Sequence, residues 1–318
     1  LMVYKEGERH KPVMLGECME ALRIKPDGVY VDCTLGAGGH SEEILKRLGS
    51  GRLIGIDKDG DELAVTSSRL KWRYGEKFIS VHGDYEDLNE ILDGLGIGDV
   101  DGVLADLGVS SMQLNDKDRG FAYMSDADLD MRMDREKSFS AYDVVNGYSV
   151  DELRRIIREY GEERYAGVIA ANIVKERQKA PVRTTKQLVD IIERSVPTAW
   201  KRSGGHPAKR TFQAVRIEVN GELRNLGQAV TDMVMRLKAG GRIAVITFHS
   251  LEDRIVKQTF SYLERACVCE PGTPVCICGK ISEVKVVTKK PCLPREDEIS
   301  ENSRAASAKL RVAERKGH

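Results

Sequence analysis

The stretch that decides the fold is Val31-Asp32-Cys33-Thr34-Leu35-Gly36-Ala37-Gly38-Gly39-His40. It has the pattern of a β-strand that passes through glycines into a helix. Glycine lets a ligand approach the backbone closely, and the first turn of a helix offers unpaired N–H groups. Asp57 follows Gly36 by 21 residues, at the end of the next apolar run, where a carboxylate can accept both hydroxyls of an adenosine ribose. The pattern therefore indicates a nucleoside-cofactor site.

The charge around this loop distinguishes two kinds of cofactor. A dinucleotide site uses the pattern G-x-G-x-x-G to seat a pyrophosphate, but Ser41 occupies the third glycine position here. S-adenosylmethionine carries a sulfonium and no phosphate, so its site requires an acidic lining. The predicted strands end in acidic residues, namely Asp32, Asp57, Asp84 and Asp106. We expect S-adenosylmethionine, with an NAD-dependent dehydrogenase as the alternative enzyme and a plain strand-to-helix turn as the alternative without a ligand.

The wider pattern predicts an α/β fold. Apolar runs at 29–32, 52–57, 77–81 and 100–106 alternate with helical stretches, which is typical of βαβ units and a parallel sheet. Helical periodicity then extends from Val150 to Ser195. The sheet resumes after a helix around 219–237, with a strand at 242–248 and a final antiparallel pair at 284–288 and 308–313. We predict a Rossmann-like class I S-adenosylmethionine-dependent methyltransferase sheet with an inserted, mainly helical second domain. The expected limits are 1–114 and 209–318 for the sheet domain and 115–208 for the insertion, which we expect to bind RNA.

Composition narrows the class of protein. The chain has 318 residues, no net charge, 41% hydrophobic residues and 31% charged residues, which excludes a disordered polymer. No run reaches the roughly 18 apolar residues of a membrane span, and the first ten residues are charged where a signal peptide is apolar. We therefore expect a cytoplasmic protein without a membrane partner. The sequence leaves the oligomeric state open, with a homodimer among the options.

The balanced total hides a polarised charge distribution. Residues 82–116 contain nine acids and no Lys or Arg, whereas residues 175–216 contain eleven Lys and Arg against three acids. An asymmetry of this size indicates that one face meets a polyanion. The residues expected to contact RNA phosphates are Arg183, Lys186, Lys201, Arg202, Lys209, Arg210 and Arg216. Trp200 and His206 lie among them, and aromatic rings stack on unpaired bases. Two oppositely charged solvated surfaces are the alternative.

Longer strings resemble one family, the bacterial small-subunit ribosomal RNA methyltransferase H family, also called MraW. The matching strings cover nearly the whole chain: 10–13, 32–41, 106–114, 119–121, 129–134, 160–164, 210–217, 248–254 and 309–311. The resemblance implies methyl transfer from S-adenosylmethionine to the exocyclic N4 of a decoding-centre (P-site) cytidine in the 16S rRNA of the small ribosomal subunit. It assigns to the cofactor Gly38, Gly39, His40, Asp57, Tyr85, Asp106 and Gln113. Some relatives have Phe at position 85, and Tyr keeps the same stacking face.

The chemistry at the amine points to further residues. The N4 lone pair of cytosine is delocalised into the ring, so hydrogen-bond acceptors must hold the amine in line with the sulfonium methyl. Amino-methyltransferases commonly place Asp, Asn or Ser before Pro-Pro-aromatic at the end of the fourth strand, but this chain has Asp106-Leu107-Gly108-Val109. We expect Asp106 or a nearby carbonyl to accept from N4, with support from Ser110 or Ser111. His249 is a further catalytic candidate, although a capping box of Ser250 and Asp253 explains part of that string structurally.

Four of the seven cysteines form a separate group. Cys267, Cys269, Cys276 and Cys278 have the ligand count of a tetrahedral zinc site, but the common spacing places two residues between paired cysteines instead of one. A structural zinc ion and free or redox-active thiols in a loop are both consistent with the pattern. A rival from another class of protein is an RNA-binding ribosome assembly factor that keeps the methyltransferase fold without turnover.

Overall fold

The computed structural model of the chain describes residues 12–197, 205–270 and 275–317. Its strands are β1 (Val29–Asp32), β2 (Arg52–Asp57), β3 (Phe78–His82), β4 (Val100–Asp106), β5 (Leu237–Thr247), β6 (Val284–Val286) and β7 (Lys309–Arg315). They form one sheet in the order β3-β2-β1-β4-β5-β7-β6. β1 to β5 are parallel, and β7 and β6 are antiparallel to their neighbours. The predicted Rossmann-like methyltransferase sheet is confirmed, including its final antiparallel pair.

The helices follow the alternation that the sequence predicts around the first strands. They are α1 (Leu15–Leu22), α2 (Gly39–Arg47), α3 (Gly60–Tyr74), α4 (Leu88–Gly94), α5 (Ser111–Asn115), α6 (Ala141–Gly147), α7 (Val150–Glu159), α8 (Ala166–Arg177), α9 (Thr185–Ser195), α10 (Ala208–Asn220), α11 (Leu226–Met235), α12 (Ser250–Glu264) and α13 (Glu296–Glu301). Local capping fixes several starts. Asp59 accepts the backbone N–H groups of Asp61 and Glu62 at the start of α3, and Ser149 forms a capping box with Glu152 at α7.

The chain divides into two compact units. The first comprises Leu1–Gly108 and Asn225–His318, and the second comprises Val109–Arg224. The sequence-based limits differ, because they return the chain to the sheet domain at residue 209. The physical reason is α10, whose Ala208, Phe212 and Val215 are buried in the helical core of the second unit.

The predicted helix around 219–237 is two helices. α10 ends at Asn220, and Gly221 adopts a left-handed conformation with φ +65° before α11 begins at Leu226. A glycine in that conformation is a common way to end a helix. The predicted glycine signal at 239–241 does not end a helix; those residues belong to β5, which begins at Leu237 rather than 242.

Register places the ends of the central strands at one edge of the sheet. Val31 of β1 lies opposite Ile54 of β2 and Val103 of β4. β4 is buried from Val100 to Ala105, as expected for a central parallel strand with both faces covered. The carboxyl ends of β1, β2 and β4 therefore reach the same edge, and the strand order reverses between β1 and β4. Ligands bind at such a switch point in open α/β sheets.

The second unit is a helical cluster with its own core. α6 to α10 bury Leu153, Ile157, Ile169, Leu188 and Phe212 in it. The polar segment before α6 is tied to this core, since the side chains of Met131 and Met133 are buried and the Arg119 guanidinium donates to the carbonyl groups of Arg132 and Met133 at 2.8 and 3.1 Å.

Within the described ranges, none of the helices combines the length and the apolar composition that a bilayer crossing requires.

Candidate functional site

The glycine loop connects β1 to α2. Gly38 precedes α2 with φ +74°, and a Cβ atom there would lie 2.6 Å from Thr66 Cγ2 of α3. At Gly39 a Cβ atom would lie 2.3 Å from Pro12 Cγ. The structure thus gives a packing reason for both glycines, beside the ligand approach that the sequence indicates. A larger residue at either position forces neighbouring groups apart.

Asp57 lies at the end of β2 and holds this loop. Its Oδ2 accepts the Gly36 N–H at 2.6 Å, and its Oδ1 accepts the Asp59 N–H at 2.8 Å. Burial raises the pKa of the Asp57 carboxyl above its ordinary value. A carboxylate oxygen can accept two hydrogen bonds. The predicted contact of Asp57 with ribose hydroxyls is therefore compatible with the bonds to Gly36 and Asp59.

Asp32, at the end of β1, is almost fully buried. Its Oδ2 accepts the Ser41 hydroxyl at 2.7 Å, and its Oδ1 accepts the Thr34 N–H at 3.1 Å. Burial raises the pKa of Asp32 to about 6, against the lowering effect of these hydrogen bonds. Ser41, the residue that breaks the dinucleotide pattern, therefore has a structural task, which is to hold the carboxylate of β1.

Asp106 ends β4 with an incompletely satisfied carboxyl. Its backbone N–H donates to Thr34 Oγ1 at 2.6 Å, but its buried Oδ1 has no hydrogen-bond partner among the residues that the structure describes. Burial, followed by repulsion from Asp32 and Glu252, raises the pKa of Asp106 to about 8. Within residues 12–197, 205–270 and 275–317, neither Asp106 nor Asp32 forms an ion pair with Lys or Arg. The carboxylates that end β1 and β4 therefore have no Lys or Arg partner among these residues.

His40 faces this carboxyl from the first turn of α2. Its Nδ1 lies 3.8 Å from Asp106 Oδ2, and its Nε2 lies 3.0 Å from the carbonyl oxygen of Val13. In the neutral ring, an Nε2–H donated to that carbonyl leaves Nδ1 as an acceptor toward Asp106. At 3.8 Å this approach is longer than a hydrogen bond.

Tyr85 follows β3 at the next strand end. Its ring is 8% exposed, and the Lys58 ammonium lies 5.5 Å from the ring centroid. Lys58 also pairs with Asp84 Oδ2 at 3.3 Å. Lys58 is a cation that the sequence reading did not single out, and it lies with Asp84 at the outer strand of this edge.

His249 is the N-cap of α12, and its partner is Glu252. The Glu252 N–H donates to His249 Nδ1 at 3.4 Å, His249 Nε2 lies 3.1 Å from Glu252 Oε1, and Glu252 Oε2 accepts the Phe248 N–H at 2.8 Å. The predicted capping box of Ser250 and Asp253 is wrong, because Ser250 is already the first helical residue. Asp253 instead accepts from the Arg311 guanidinium at 2.5 Å.

Glu252 is the residue of this site that the sequence reading missed. It is 1% exposed, and its charge contributes to the raised pKa of Asp106. Glu252 lies within the matching string 248–254, but its only capping signal is its spacing of three residues after His249. That signal is weak because His is not among the preferred N-cap residues.

Ser110 and Gln113 belong to the second unit, where they form the capping box of α5. The Gln113 N–H donates to Ser110 Oγ at 3.0 Å, and the Ser110 N–H donates to Gln113 Oε1 at 3.0 Å. Gln113 is buried. Both side chains therefore have a structural task, and the roles predicted for them in catalysis and cofactor binding stay predictions.

The predicted RNA contacts differ in their surroundings. Arg183, Lys186, Lys209 and Arg210 are exposed, and the Arg210 guanidinium also donates to the carbonyl oxygen of Glu162 at 2.9 Å. Arg216 departs from the expectation, since its guanidinium forms a bidentate pair with the buried carboxylate of Glu222, both bonds at 2.9 Å. Lys201 and Arg202 lie outside the described residues. Four of the seven predicted contacts are thus exposed cations, and the RNA-binding role of all seven stays a prediction.

Comparison with known proteins gives one consistent result. Residues 7–316 match the model of a family described as the MraW methylase family. A protein of Clostridioides difficile (strain 630), named Ribosomal RNA small subunit methyltransferase H, is 53% identical over 307 residues, which is 96% of this chain and 98% of that protein. A protein with the same name from Clostridium botulinum (strain Loch Maree / Type A3) is 54% identical over 96% of this chain and 98% of its own length. Another, from Caldicellulosiruptor saccharolyticus, is 53% identical over 96% of this chain and 99% of its own length.

Proposed function

Since the chain belongs to the MraW methylase family, we propose that it methylates the 16S rRNA of the small ribosomal subunit at the exocyclic N4 of a decoding-centre cytidine, with S-adenosylmethionine as donor. The names of the relatives support a small-subunit rRNA substrate. The observation that carries the proposal is the Asp106 carboxyl at the switch point of the sheet. Its side chain is 26% exposed, its Oδ1 is buried without a hydrogen-bond partner, and it forms no ion pair with Lys or Arg among the described residues.

The strand-end carboxylates suit a cationic donor. When bound, S-adenosylmethionine supplies an electrophilic methyl group on a positively charged sulfur. Asp32 and Asp106 have pKa values of about 6 and about 8, so each is costly to ionise in the unliganded protein. A positive charge nearby lowers that cost, whereas a pyrophosphate increases it. Asp57 would accept the ribose hydroxyls, the Tyr85 ring would lie against adenine, and Gly38, Gly39 and His40 would line the loop.

Asp106 acts on the amine in this proposal. Once ionised beside a cation, its unpartnered Oδ1 accepts an N–H from N4 and favours a pyramidal nitrogen whose lone pair can attack. Orientation of the amine supplies most of the rate enhancement, because the methyl group transfers in line from sulfur to nitrogen. The amine proton then has Asp106 as its nearest acceptor.

His249 and Ser110 have supporting roles in this proposal. The Glu252 N–H holds the His249 ring through Nδ1, while the buried Nε2 has no hydrogen-bond partner among the described residues and lies 3.1 Å from Glu252 Oε1. We therefore assign His249 a contact to the target base and not the role of a mobile proton acceptor. Ser110, as the cap of α5, fixes the backbone that follows β4.

In this proposal, exposed cations of the second unit bind the RNA backbone. Arg183, Lys186, Lys209 and Arg210 are the proposed phosphate contacts. Each contact to single-stranded RNA releases counterions, so the logarithm of affinity falls with the logarithm of salt concentration by about 0.7 per contact. Replacing Lys186 and Lys209 by Gln should reduce that slope without changing turnover at saturating substrate. An unchanged slope contradicts the assignment, and Arg164→Gln, outside the basic stretch, is the control.

The decisive experiment uses small subunits from cells that lack this modification. They are incubated with the protein and methyl-labelled S-adenosylmethionine, and the labelled nucleotide is identified by digestion and mass spectrometry. We expect one N4-methylated cytidine in 16S rRNA, with no label on large subunits. Binding to the subunit without methyl transfer identifies an assembly factor instead. Label on another atom overturns the N4 assignment but leaves the methyltransferase activity standing.

A further inference from the structure

Four thiols outside the proposed active site come together in the connection between α12 and β6. The Cys276 sulfur lies 3.5 Å from the sulfurs of Cys267 and Cys278 and 3.9 Å from that of Cys269. The sulfurs of Cys267 and Cys278 are 3.8 Å apart, and all four lie within 4.8 Å of one another. The four sulfurs therefore surround a common centre.

These distances are those of ligands around one ion. A disulfide holds its sulfurs at about 2.05 Å, which no pair here approaches. Zinc binds thiolate sulfur at about 2.3 Å, so the edge of a regular Zn–S₄ tetrahedron is about 3.8 Å. We propose that Cys267, Cys269, Cys276 and Cys278 bind a structural zinc ion. The C-x-C spacing, which argued against zinc in the sequence, does not prevent the sulfurs from meeting.

The described residues next to the cysteines contribute no apolar packing. Val275 and Ile277 are 72% and 85% exposed, so their side chains form no core. The base of the connection is fastened, since the Glu283 N–H donates to the Leu263 carbonyl at 2.9 Å and the Ser282 hydroxyl donates to the Glu264 carbonyl at 2.6 Å. Beyond that base, a four-thiolate metal centre supplies the cross-link that burial supplies elsewhere.

Backbone donors are directed at the sulfurs. The Val268 N–H donates to Cys278 Sγ at 3.5 Å, and the Cys269 N–H donates to Cys267 Sγ at 3.4 Å. Such bonds stabilise thiolate more than thiol, as a metal ligand requires. Binding is then a balanced exchange in which one Zn²⁺ ion forms four bonds to sulfur while four thiol protons are released. Affinity for zinc should therefore fall steeply as the pH is lowered.

The test measures metal content in the full-length protein. Protein made in zinc-supplemented cells is dialysed and its zinc determined by mass spectrometry. We expect about one zinc ion per chain, and about none in the variant with both Cys276→Ser and Cys278→Ser. Cys292→Ser is the matched control, because Cys292 is exposed but outside the cluster, and it should keep the metal. Zinc no higher in the parent than in the double variant overturns the proposal.

Two further readouts keep the test valid if the double variant folds poorly. Cobalt added to metal-free parent protein should give the intense visible bands of tetrahedral tetrathiolate coordination; the weak spectrum of octahedral cobalt contradicts the site. Titration with a mercurial reagent should release zinc in step with the reaction of four thiols beyond Cys292. If two or all four of the cluster cysteines fail to react and no zinc is released, those cysteines form disulfides. That result also overturns the proposal.

Discussion

Strand β4 has an aspartate near each end, and the two have opposite surroundings. Near the start, Asp101 Oδ1 lies 3.0 Å from the Lys25 ammonium, and its Oδ2 lies 2.7 Å from the Lys238 ammonium and 3.0 Å from the Val29 nitrogen. Burial opposes ionisation there, but the hydrogen bonds from Lys238, Val29 and Lys25 outweigh it and lower the pKa of Asp101 to about 2. At the far end, burial and two nearby carboxylates raise the pKa of Asp106 to about 8.

The difference separates a carboxylate that stabilises the fold from one that is available to a ligand. Asp101 has its charge matched within the protein, so its ionisation contributes to folding. Asp106 lies at the edge where ligands bind in open α/β sheets, and its charge is not matched by Lys or Arg among the described residues. A buried group with a strongly shifted pKa in a cleft is a common mark of a functional site. Substitutions at the two ends should therefore affect different measurements.

The largest expected effect is on turnover. Asp106→Ala should lower kcat for methylation of small subunits by about 10²- to 10³-fold, the usual cost of removing one group that stabilises charge or orients the reacting atom. The fold should persist, with the unfolding free energy within about 1 kcal/mol of the parent, because a carboxyl that is costly to ionise has been removed. Single-turnover kinetics at saturating cofactor and denaturant unfolding measure the two quantities.

Asp99→Ala is the matched control for that variant. Asp99 is exposed immediately before the start of β4, so the same substitution is made at the other end of the strand without touching a buried charge. It should leave kcat unchanged within about twofold, as surface substitutions usually do. Undiminished turnover in Asp106→Ala excludes the role assigned to that carboxyl, whatever the result at Asp99.

A smaller effect, on stability, is expected at the opposite end. Asp101→Asn leaves two ammonium groups without their anion and should lower the unfolding free energy by about 1 to 3 kcal/mol at pH 7, with kcat unchanged. Since the folded-state pKa of Asp101 is lowered, its contribution is present above the unfolded pKa of about 4 and is lost as the pH falls toward 2. The difference between parent and variant should therefore shrink in acid.

Urea unfolding at several pH values measures this contribution. A difference that stays constant from pH 7 to pH 3, or a loss of kcat comparable to that of Asp106→Ala, removes the distinction between the two ends of β4.

The sequence predicted this contrast only in part. Strand ends are readable because apolar runs stop at acidic residues, so β1, β2 and β4 have the predicted limits and Asp106 was singled out. The partners of these carboxylates are not readable, since they come from distant parts of the chain. Lys25 and Lys238 meet Asp101 across 76 and 137 residues. Thr34 and Ser41 are near Asp32 in sequence, but the dinucleotide pattern identifies Ser41 only as a missing glycine.

Helical boundaries were also only partly predictable from the sequence, for a different reason. α10 is amphipathic toward a core whose other members lie between Phe121 and Val196, so its membership in the second unit depends on tertiary packing. The cap of α12 is local, but His in place of Ser or Asp hides it from the usual capping pattern. Distant packing and unusual capping residues are thus the two features that pattern rules miss here.

The smallest expected effect concerns the coupling between ionisation of Asp106 and binding of S-adenosylmethionine. The folded-state pKa of Asp106 is about 8 without ligand, so below that pH the binding of a cation beside it must release a proton. The Kd of S-adenosylmethionine should fall by up to about tenfold per pH unit as the pH rises toward 8 and should level off above it. Calorimetry in buffers of different ionisation enthalpy measures both the Kd and the protons released.

S-adenosylhomocysteine is the matched ligand, because it keeps the amino and carboxyl groups but has a neutral thioether in place of the sulfonium. Protons exchanged by the amino group, whose pKa is near 8, cancel in the ratio of the two Kd values. That ratio should favour S-adenosylmethionine increasingly from pH 6 to pH 8 in the parent and should be independent of pH in Asp106→Asn. A ratio independent of pH in the parent means that Asp106 does not face the sulfonium, and the contrast between the two ends of β4 then concerns stability alone.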